Sequence, residues 1–302
     1  MLRTEAMLPI HTRGQRINGA ALRFAVVAAV AAIGCAVLAA PASAAPVGGG
    51  TNGQAGAVDN QAVADYKATH DTDPHTPLPA DRAKYLQDKQ NLVQQHVASK
   101  ARSAQDGVST MAAGGGINIV QQPQQTSYWC GPATVTELLT WKGVSISQSQ
   151  AATLLKTTTD GTAWSGVNIS VPSPTGYPVA DAMNYKVGVG YYVPTALPGS
   201  PSSANITTYQ NDLVYDIDHA WGLAGDAWEV PTGSHLTGHP TDRTIFHWYA
   251  IFGYDNSGTG TDYADSVHGA TSISWSGNVP AYTINFSSST ITHINGGRGY
   301  IW

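Results

Sequence analysis

Hydrophobic residues recur every three to four positions in several stretches of the 302-residue chain, which places them on one face of a helix. This spacing predicts helices over residues 80–104, 130–141, 147–156, 178–186, 207–221 and 287–295. Shorter runs of β-branched and aromatic residues predict strands over residues 117–120, 187–193, 227–230, 244–254, 261–264, 270–275 and 299–302. Most of the helices precede most of the strands, and this order is typical of an α+β fold.

The run from Thr244 to Tyr254 carries the strongest strand signal, since nearly all its residues are β-branched or aromatic. A strand this apolar is expected to be central in its sheet and covered on both faces. One imidazole interrupts the run, that of His247. A histidine in such a strand is ordinarily a core residue with satisfied hydrogen bonds, but a rigid central strand is also a good support for a catalytic base. The pattern alone leaves both interpretations open.

A second distinctive position, Cys130, stands where a helix is predicted to begin. Gly131 lets the backbone turn sharply, and Pro132 is favoured in a first helical turn, where its missing N–H costs nothing. Unpaired N–H groups and the positive end of the helix dipole favour thiolate over thiol there. The sequence therefore predicts an activated nucleophile at Cys130.

The N-terminal residues predict export. Arginines precede an apolar run from Phe24 to Ala40, and Ala42-Ser43-Ala44 supplies a small-residue cleavage site, so residues 1–44 are interpreted as a secretory signal peptide. A membrane anchor is the alternative, for which a run of about 17 residues is short. Cleavage would remove Cys35 and leave Cys130 as the one cysteine of a secreted, extracellular protein without stable membrane insertion.

Residues 45–116 are predicted to connect the signal peptide to a main domain of residues 117–302. Up to residue 73 the composition is rich in small and polar residues without periodicity, as in a solvated linker. The helix of residues 80–104 carries an apolar stripe, which suits either an exposed spacer or a pro-segment docked on the folded domain.

Charge narrows the range of partners. After residue 110 the chain has five basic and twelve acidic residues, a net charge of −7. With no basic patch in the sequence, this argues against nucleic acid or an anionic membrane as the main partner.

Two short blocks resemble the papain clan of cysteine peptidases. In the first, Gln124 is followed six residues later by Cys130-Gly131-Pro132-Ala133 at a helix start; in the second, His247 leads a strand ending in Gly253-Tyr254-Asp255. Within the clan the chain is most similar to the double-glycine leader peptidases and their secreted relatives, cysteine peptidase family thirty-nine. The resemblance implies a papain-like fold, in which an N-terminal helical part carrying the Cys helix packs on a C-terminal antiparallel β-sheet carrying His and Asp.

The resemblance also assigns a base and a carboxylate. His247 would activate Cys130, and a carboxylate would hold its imidazole in the required tautomer. The family places that carboxylate at the end of the next strand, usually in an Asp-Pro pair. Asp265 is the closest match although Ser266 follows it in place of Pro; Asp262 is the second choice, and Asp255 is a further candidate.

The resemblance also selects a side chain that could donate a hydrogen bond to an oxyanion. Several glutamines crowd residues 121–125, and the six-residue interval to Cys130 selects Gln124. Its side-chain amide and the backbone N–H of Cys130 would stabilise a tetrahedral oxyanion. Because the resembled family cuts leader peptides after Gly-Gly, Gly114-Gly115-Gly116 is either a processing site or a plain flexible linker.

These patterns together predict a secreted cysteine peptidase that is made as a precursor, acts on a peptide or protein substrate and uses no cofactor. His235 and His239 are four residues apart, but their loop is rich in Gly, Pro and Thr, which does not favour a zinc site. Two alternatives stay open. An amidase or acyltransferase could use the same triad, since the triad specifies acyl transfer and not the acceptor; an inactive secreted binding module would have an ordinary thiol at Cys130.

Overall fold

A computed structural model describes residues 60–71, 76–105 and 114–302. The predicted signal peptide and much of the predicted linker lie outside these residues. Seven α-helices lie within the described ranges: α1 Asn60–His70, α2 Ala80–Gln105, α3 Cys130–Trp141, α4 Gln148–Leu155, α5 Pro178–Val187, α6 Ser203–Asp218 and α7 Ser288–Ile294. Every helix predicted from hydrophobic spacing is present, and no helix in the described ranges is long and apolar enough to cross a bilayer.

One antiparallel sheet of seven strands carries the second half of the domain. Its strands are β1 Gly115–Gly116, β2 Pro194–Ala196, β3 Leu223–Glu229, β4 Ile245–Asp255, β5 Gly260–Ala264, β6 Tyr282–Ser287 and β7 Gly299–Ile301. The order across the sheet is β2-β7-β3-β4-β5-β6, and β1 pairs with the end of β4 beyond β3. The strand predicted to be central, β4, is central and is buried from His247 to Ile251.

The helix that begins at Cys130 packs directly on the central strand. All residues of α3 from Cys130 to Leu139 are buried, and α3 contacts β4 on one side and α4 and α5 on others. An early helical part therefore covers a later antiparallel sheet, which is the α+β, papain-like fold that the sequence predicts.

Local capping fixes where two of the supporting helices begin. Ser147 precedes α4 and accepts the N–H of Gln150, whose side chain in turn accepts the N–H of Ser147. Ser202 and Asn205 form the same reciprocal pair at the start of α6. Such capping boxes satisfy two N–H groups that the helix itself leaves unpaired.

Three strand predictions are wrong. Residues 187–193 form no strand, because Gly188 ends α5 in a left-handed conformation (φ 78°) and the side chain of Asn184 takes the backbone N–H of Tyr192. Residues 270–275 form successive turns, with Ile273 N–H bonded to the carbonyl of Ala270. The strand predicted at 117–120 is replaced by β1, just before it, and only the N–H of Ile117 continues the pairing, to Phe252.

The prediction of a solvated linker up to residue 73 is also wrong where α1 forms. Val63 packs with Trp228 and Val230. Lys67 is buried, and its ammonium group donates to the carbonyls of His293, Ile294 and Gly296 at the end of α7. His293 and Ile294 form the end of α7, where a helix leaves carbonyls without intrahelical partners, and Gly296 follows it.

The long helix α2 is docked on the domain. Val93 is fully buried in the main core, and α2 packs along α6. Of the two interpretations of its apolar stripe, the exposed spacer is therefore wrong. Its role as a pro-segment stays a prediction.

Candidate active site

The fold brings Cys130 and His247 together. The thiol at the start of α3 and the imidazole of β4 interact closely enough for each group to shift the pKa of the other, and the two residues are only 7% and 3% exposed. The Nε2 atom of His247 lies 3.0 Å from Oδ1 of Asp265, which leaves Nδ1 to face the sulfur. Two elements that are 117 positions apart in the sequence thus meet through one ring.

Among the three candidate carboxylates, Asp265 is the one that contacts the imidazole. It follows directly on β5, where the strand pairs with β4. Asp262 instead accepts the backbone N–H of Asn285 at 2.8 Å, and it shares a hydrogen bond with Asp255. The strand-end position inferred from the resemblance is therefore next to His247, and the second choice is not.

Electrostatics at the pair favour charge separation. Burial raises the pKa of the Cys130 thiol, but the hydrogen bond and charge of His247 outweigh it, helped by the N–H groups of Trp248 and Gly131, so the pKa is lowered. Burial lowers the pKa of His247, but the charge and hydrogen bond of Asp265 and the contact with Cys130 raise it well above its ordinary value. The arrangement favours a thiolate–imidazolium pair.

The helix start contributes to this environment. Trp129 precedes α3 without a side-chain cap, so the first N–H groups of the helix remain free for the sulfur. Gly131 must be glycine, because a Cβ there would lie 2.4 Å from the hydroxyl of Thr162. Because Gly131 has no Cβ, the loop that carries Thr162 can approach the backbone beside Cys130.

Sequence reasoning missed a second imidazole on the same carboxylate. Oδ2 of Asp265 lies 3.0 Å from Nε2 of His239, and Nδ1 of His239 lies 2.9 Å from Oε2 of Glu229. Glu229 also contacts His235 at 3.1 Å and accepts the N–H of Leu236. A signal was present in the sequence: Glu229 is a charged residue within the strand predicted over residues 227–230, and such a group requires partners if the strand is buried.

The same cluster also has side chains that are close enough to share a metal ion. In the described part of the chain one group has ligand atoms close enough, with His239, His247 and Asp265 placing theirs within 4.8 Å of one another. Each of these atoms already takes part in the hydrogen bonds given above. The hydrogen-bond network thus accounts for their arrangement as it stands.

Gln124 is anchored to the residue that follows Asp265. Its backbone N–H donates to the carbonyl of Ser266 at 2.8 Å, and its side-chain oxygen accepts the Ser266 hydroxyl at 3.2 Å. Its amide nitrogen donates to the carbonyl of Thr126 at 2.8 Å. A proline in place of Ser266 has no hydroxyl and could not make the side-chain contact.

A cavity of about 340 Å³ is lined in part by the loop that carries Thr162. The loop that lines it contacts Gly131 through Thr162 and accepts the indole N–H of Trp248 at the Thr162 carbonyl, 2.9 Å away. The cavity has aromatic and aliphatic walls and a few charged groups: Trp164, Val167, Phe246, Lys156, Asp160, Asp226 and Arg298. Trp164, which is also part of the main core, is one of its walls.

A cysteine at a helix start, paired with a histidine of the central strand on a papain-like α+β fold, defines the class of protein. The profile of the Peptidase_C39 like family matches residues 116–300. The chain belongs to this family, and its membership supports a peptidase-type function.

Other comparisons add little. A search of curated proteins finds no match. Among solved structures, the chain is similar to the crystal structure of a "putative C39-like peptidase" from Bacillus anthracis, with 13% identity, a TM-score of 0.35 and coverage of 61% of this chain and 92% of that one. A likeness at that level carries no argument, so the assignment rests on the family profile.

Proposed function

We propose that this protein is a secreted cysteine peptidase that cleaves peptide bonds through a covalent acyl-enzyme on Cys130. The observation that supports the proposal best is the buried arrangement of Cys130, His247 and Asp265, in which His247 lowers the pKa of the Cys130 thiol and its own Nε2 atom lies 3.0 Å from Oδ1 of Asp265. A nucleophile bonded to a base that is itself oriented by a third group is the arrangement that acyl transfer requires.

In the proposed mechanism, the Cys130 thiolate attacks the scissile carbonyl carbon and the carbonyl electrons move to oxygen. As the tetrahedral intermediate collapses, the C–N bond breaks and the His247 imidazolium gives its proton to the leaving amine. Neutral His247 then takes a proton from water, which attacks the thioester. Collapse of the second intermediate releases the carboxylic acid and returns the thiolate–imidazolium pair.

Gln124 and the backbone N–H of Cys130 are proposed to stabilise the oxyanion in both intermediates. Two hydrogen bonds with Ser266, one to the side chain and one to the backbone of Gln124, fix Gln124 against the residue that follows Asp265. Loss of one such donor ordinarily lowers kcat by about 10²-fold or more, and we expect an effect of that order for Gln124→Ala.

The substrate is proposed to be a peptide or protein that places an apolar side chain in the cavity of Trp164, Val167 and Phe246. These walls offer apolar contact area, while Asp226 and Arg298 lie among the lining residues as charged groups. Cavities of this size and composition are typical of sites that bind a single side chain or a small ligand.

The test is the rate of Cys130 alkylation by iodoacetamide against pH, measured on wild type, His247→Ala and Cys130→Ala. We expect fast labelling of wild type well below the ordinary thiol pKa of about 8.5, loss of that acidic limb in His247→Ala and no labelling in Cys130→Ala. Cleavage of a peptide library should then require Cys130. An ordinary thiol titration, unchanged in His247→Ala, would contradict the proposal and favour an inactive binding module.

Cleavage of the peptide library distinguishes a peptidase from the remaining alternative, an amidase or acyltransferase. Rapid labelling without peptide cleavage, together with transfer to small amines or hydrolysis of small amides, would indicate an amidase or acyltransferase. N-terminal sequencing of protein recovered from the medium tests export in the same preparation: a start near Ala45 is expected in the Cys130→Ala variant. A start after Gly114-Gly115-Gly116 in wild type alone would indicate self-processing.

A further inference from the structure

Asp265 holds two imidazoles at once. Its Oδ1 atom accepts from Nε2 of His247 at 3.0 Å and from the N–H of Val267 at 2.9 Å, while its Oδ2 atom meets Nε2 of His239 at 3.0 Å. Asp265 and His239 are 0% and 5% exposed. No other donor to Oδ2 appears among the described residues, so His239 alone fixes the second oxygen of the carboxylate.

The partners of His239 determine its protonation state. Nε2 faces Asp265 and Nδ1 faces Glu229, and an ionised carboxylate can only accept hydrogen bonds. Both ring nitrogens must therefore carry a proton, which makes His239 an imidazolium. The pKa values agree: burial raises the pKa of Asp265 and of Glu229, but their histidine partners lower both on balance.

The pKa of His239 itself points the same way. Burial lowers it, but the hydrogen bonds from Asp265 and Glu229 outweigh burial and raise it above its ordinary value. The surrounding groups are Asp265, Glu229 with its second partner His235, and the ring of His247 at 5.2 Å. The ring of Trp275 covers His239 at 4.8 Å.

The connection between β3 and β4 positions the imidazole ring of His239. His239 follows Gly238, which adopts a left-handed conformation (φ 83°) and whose Cβ, if present, would lie 2.2 Å from the carbonyl oxygen of Asn278. Glu229 reaches back from the end of β3 and anchors the same connection through the N–H of Leu236 at 2.7 Å. The packing of Gly238 and the two bonds made by Glu229, to Leu236 and to Nδ1 of His239, thus fix the position of the ring relative to Asp265.

We propose that His239 is a positioning residue for the candidate triad: by clamping Oδ2 of Asp265 it fixes the carboxylate plane, so that Oδ1 receives the Nε2–H of His247. This role rests on the proposed function. Without His239, Oδ2 would be a buried carboxylate oxygen with no donor, and the carboxylate could rotate away from His247. The imidazolium of His247, and with it the thiolate of Cys130, would then lose stabilisation.

The experiment is the iodoacetamide pH profile of Cys130 in wild type, His239→Ala and His239→Gln, with folding checked by thermal unfolding. In His239→Ala the acidic limb should move up by about one unit, which is a tenfold lower labelling rate at pH 6. His239→Gln keeps an N–H that can reach Oδ2, and its rate at pH 6 should stay within about threefold of wild type. His235→Ala is the matched control, since His235 contacts Glu229 and not Asp265; it should shift the limb less than His239→Ala.

Two outcomes separate this proposal from the one on which it rests. A folded His239→Ala variant whose profile superimposes on that of an activated wild type would overturn the positioning role alone. A wild-type profile of an ordinary thiol, unchanged by His247→Ala, would overturn the proposed function and the positioning role with it.

A second measurement covers the case in which His239→Ala does not fold. In wild-type protein labelled with ¹⁵N-histidine, both ring nitrogens of His239 should carry protons at pH 7. A neutral His239 ring with one N–H would overturn the clamp, because the ring could not then donate to both carboxylates.

Discussion

Glu137 lies on the same face of α3 as Cys130, seven residues further along the helix and so about two turns away. Its Oε1 atom accepts the backbone N–H of Gln122 at 2.7 Å, while Oε2 has no hydrogen-bond partner among the described residues. Burial raises its pKa to about 8. A carboxylic acid two turns from the thiol is therefore largely neutral at pH 7.

Replacing this acid should make the protein more stable at alkaline pH. An unfolded Glu has a pKa of about 4.3, so a raised folded pKa lowers the stability of wild type as pH rises from there to about 8. In Glu137→Gln that loss is absent, and the difference in unfolding free energy should move in favour of the variant by about 1.4 kcal/mol per pH unit. Urea denaturation at pH 5, 6.5 and 8 measures it; a difference that does not change with pH would contradict a neutral Glu137.

Single residues also show which parts of the site the sequence patterns could predict. Cys130 and His247 stand in motifs that are read locally, from a helix start and from one polar residue in an apolar strand. The second partner of Asp265 was not accessible in this way, since His239 lies in an irregular connection whose path depends on packing. Glu229 could have been flagged as a buried charge, but its partner could not have been named.

At the scale of elements, α2 is attached through a buried ion pair. Lys89 lies 3.1 Å from Asp216 on α6, and both side chains are almost fully buried. The Lys89 ammonium group also lies over the rings of Tyr191 and Trp302, at 3.8 and 4.0 Å from the ring centres. The buried ammonium group of Lys89 thus attaches α2 to the domain through Asp216 and the two aromatic rings.

Removing one partner of this pair should destabilise the protein strongly. Lys89→Met leaves Asp216 buried without its cation, and we expect a loss of about 3–5 kcal/mol in unfolding free energy, much of it recovered in the double variant Lys89→Met with Asp216→Leu. Lys84→Met is the matched control on the same helix, because the Lys84–Asp88 pair is exposed and should contribute less than about 1 kcal/mol. Equal effects of the two lysine substitutions would show that the buried pair does not anchor α2.

For the whole molecule, the network around Asp265 links stability to pH. The pKa values of Asp265 and Glu229 are lowered by their histidine partners despite burial, so their contribution is complete above an unfolded pKa of about 4 and is lost as pH falls further. The pKa values of His247 and His239 are raised by those carboxylates despite burial. Their contribution is complete below an unfolded pKa of about 6.5 and is lost as pH rises towards the folded values.

The contribution of this network to the unfolding free energy should therefore be greatest between about pH 4 and pH 6.5 and decline on either side. Measuring it in the Glu137→Gln background removes one other titration in this range, that of Glu137. Asp265→Asn should flatten both limbs, because an amide carries no charge to stabilise the two imidazolium rings. A profile that keeps its shape in Asp265→Asn would contradict the linkage.

The sequence by itself determined the features that depend on neighbouring residues. Hydrophobic spacing and the Gly131-Pro132 pair placed α3 with Cys130 at its start, a serine cap placed α4, and an unbroken apolar run placed the central strand β4. These features are governed by backbone sterics, capping hydrogen bonds and periodicity within a few turns of chain.

Tertiary structure alone decided what depends on residues far apart in sequence. It formed α1 in a stretch without hydrophobic periodicity, because the buried contacts of Val63 and Lys67 come from β3 and from the end of α7. It paired the edge strand β6, whose residues are mostly exposed, with β5. It also set Asp265 rather than Asp262 against His247 and supplied His239 on its far side, since buried polar groups take their partners from whichever segments the packing brings within hydrogen-bond distance.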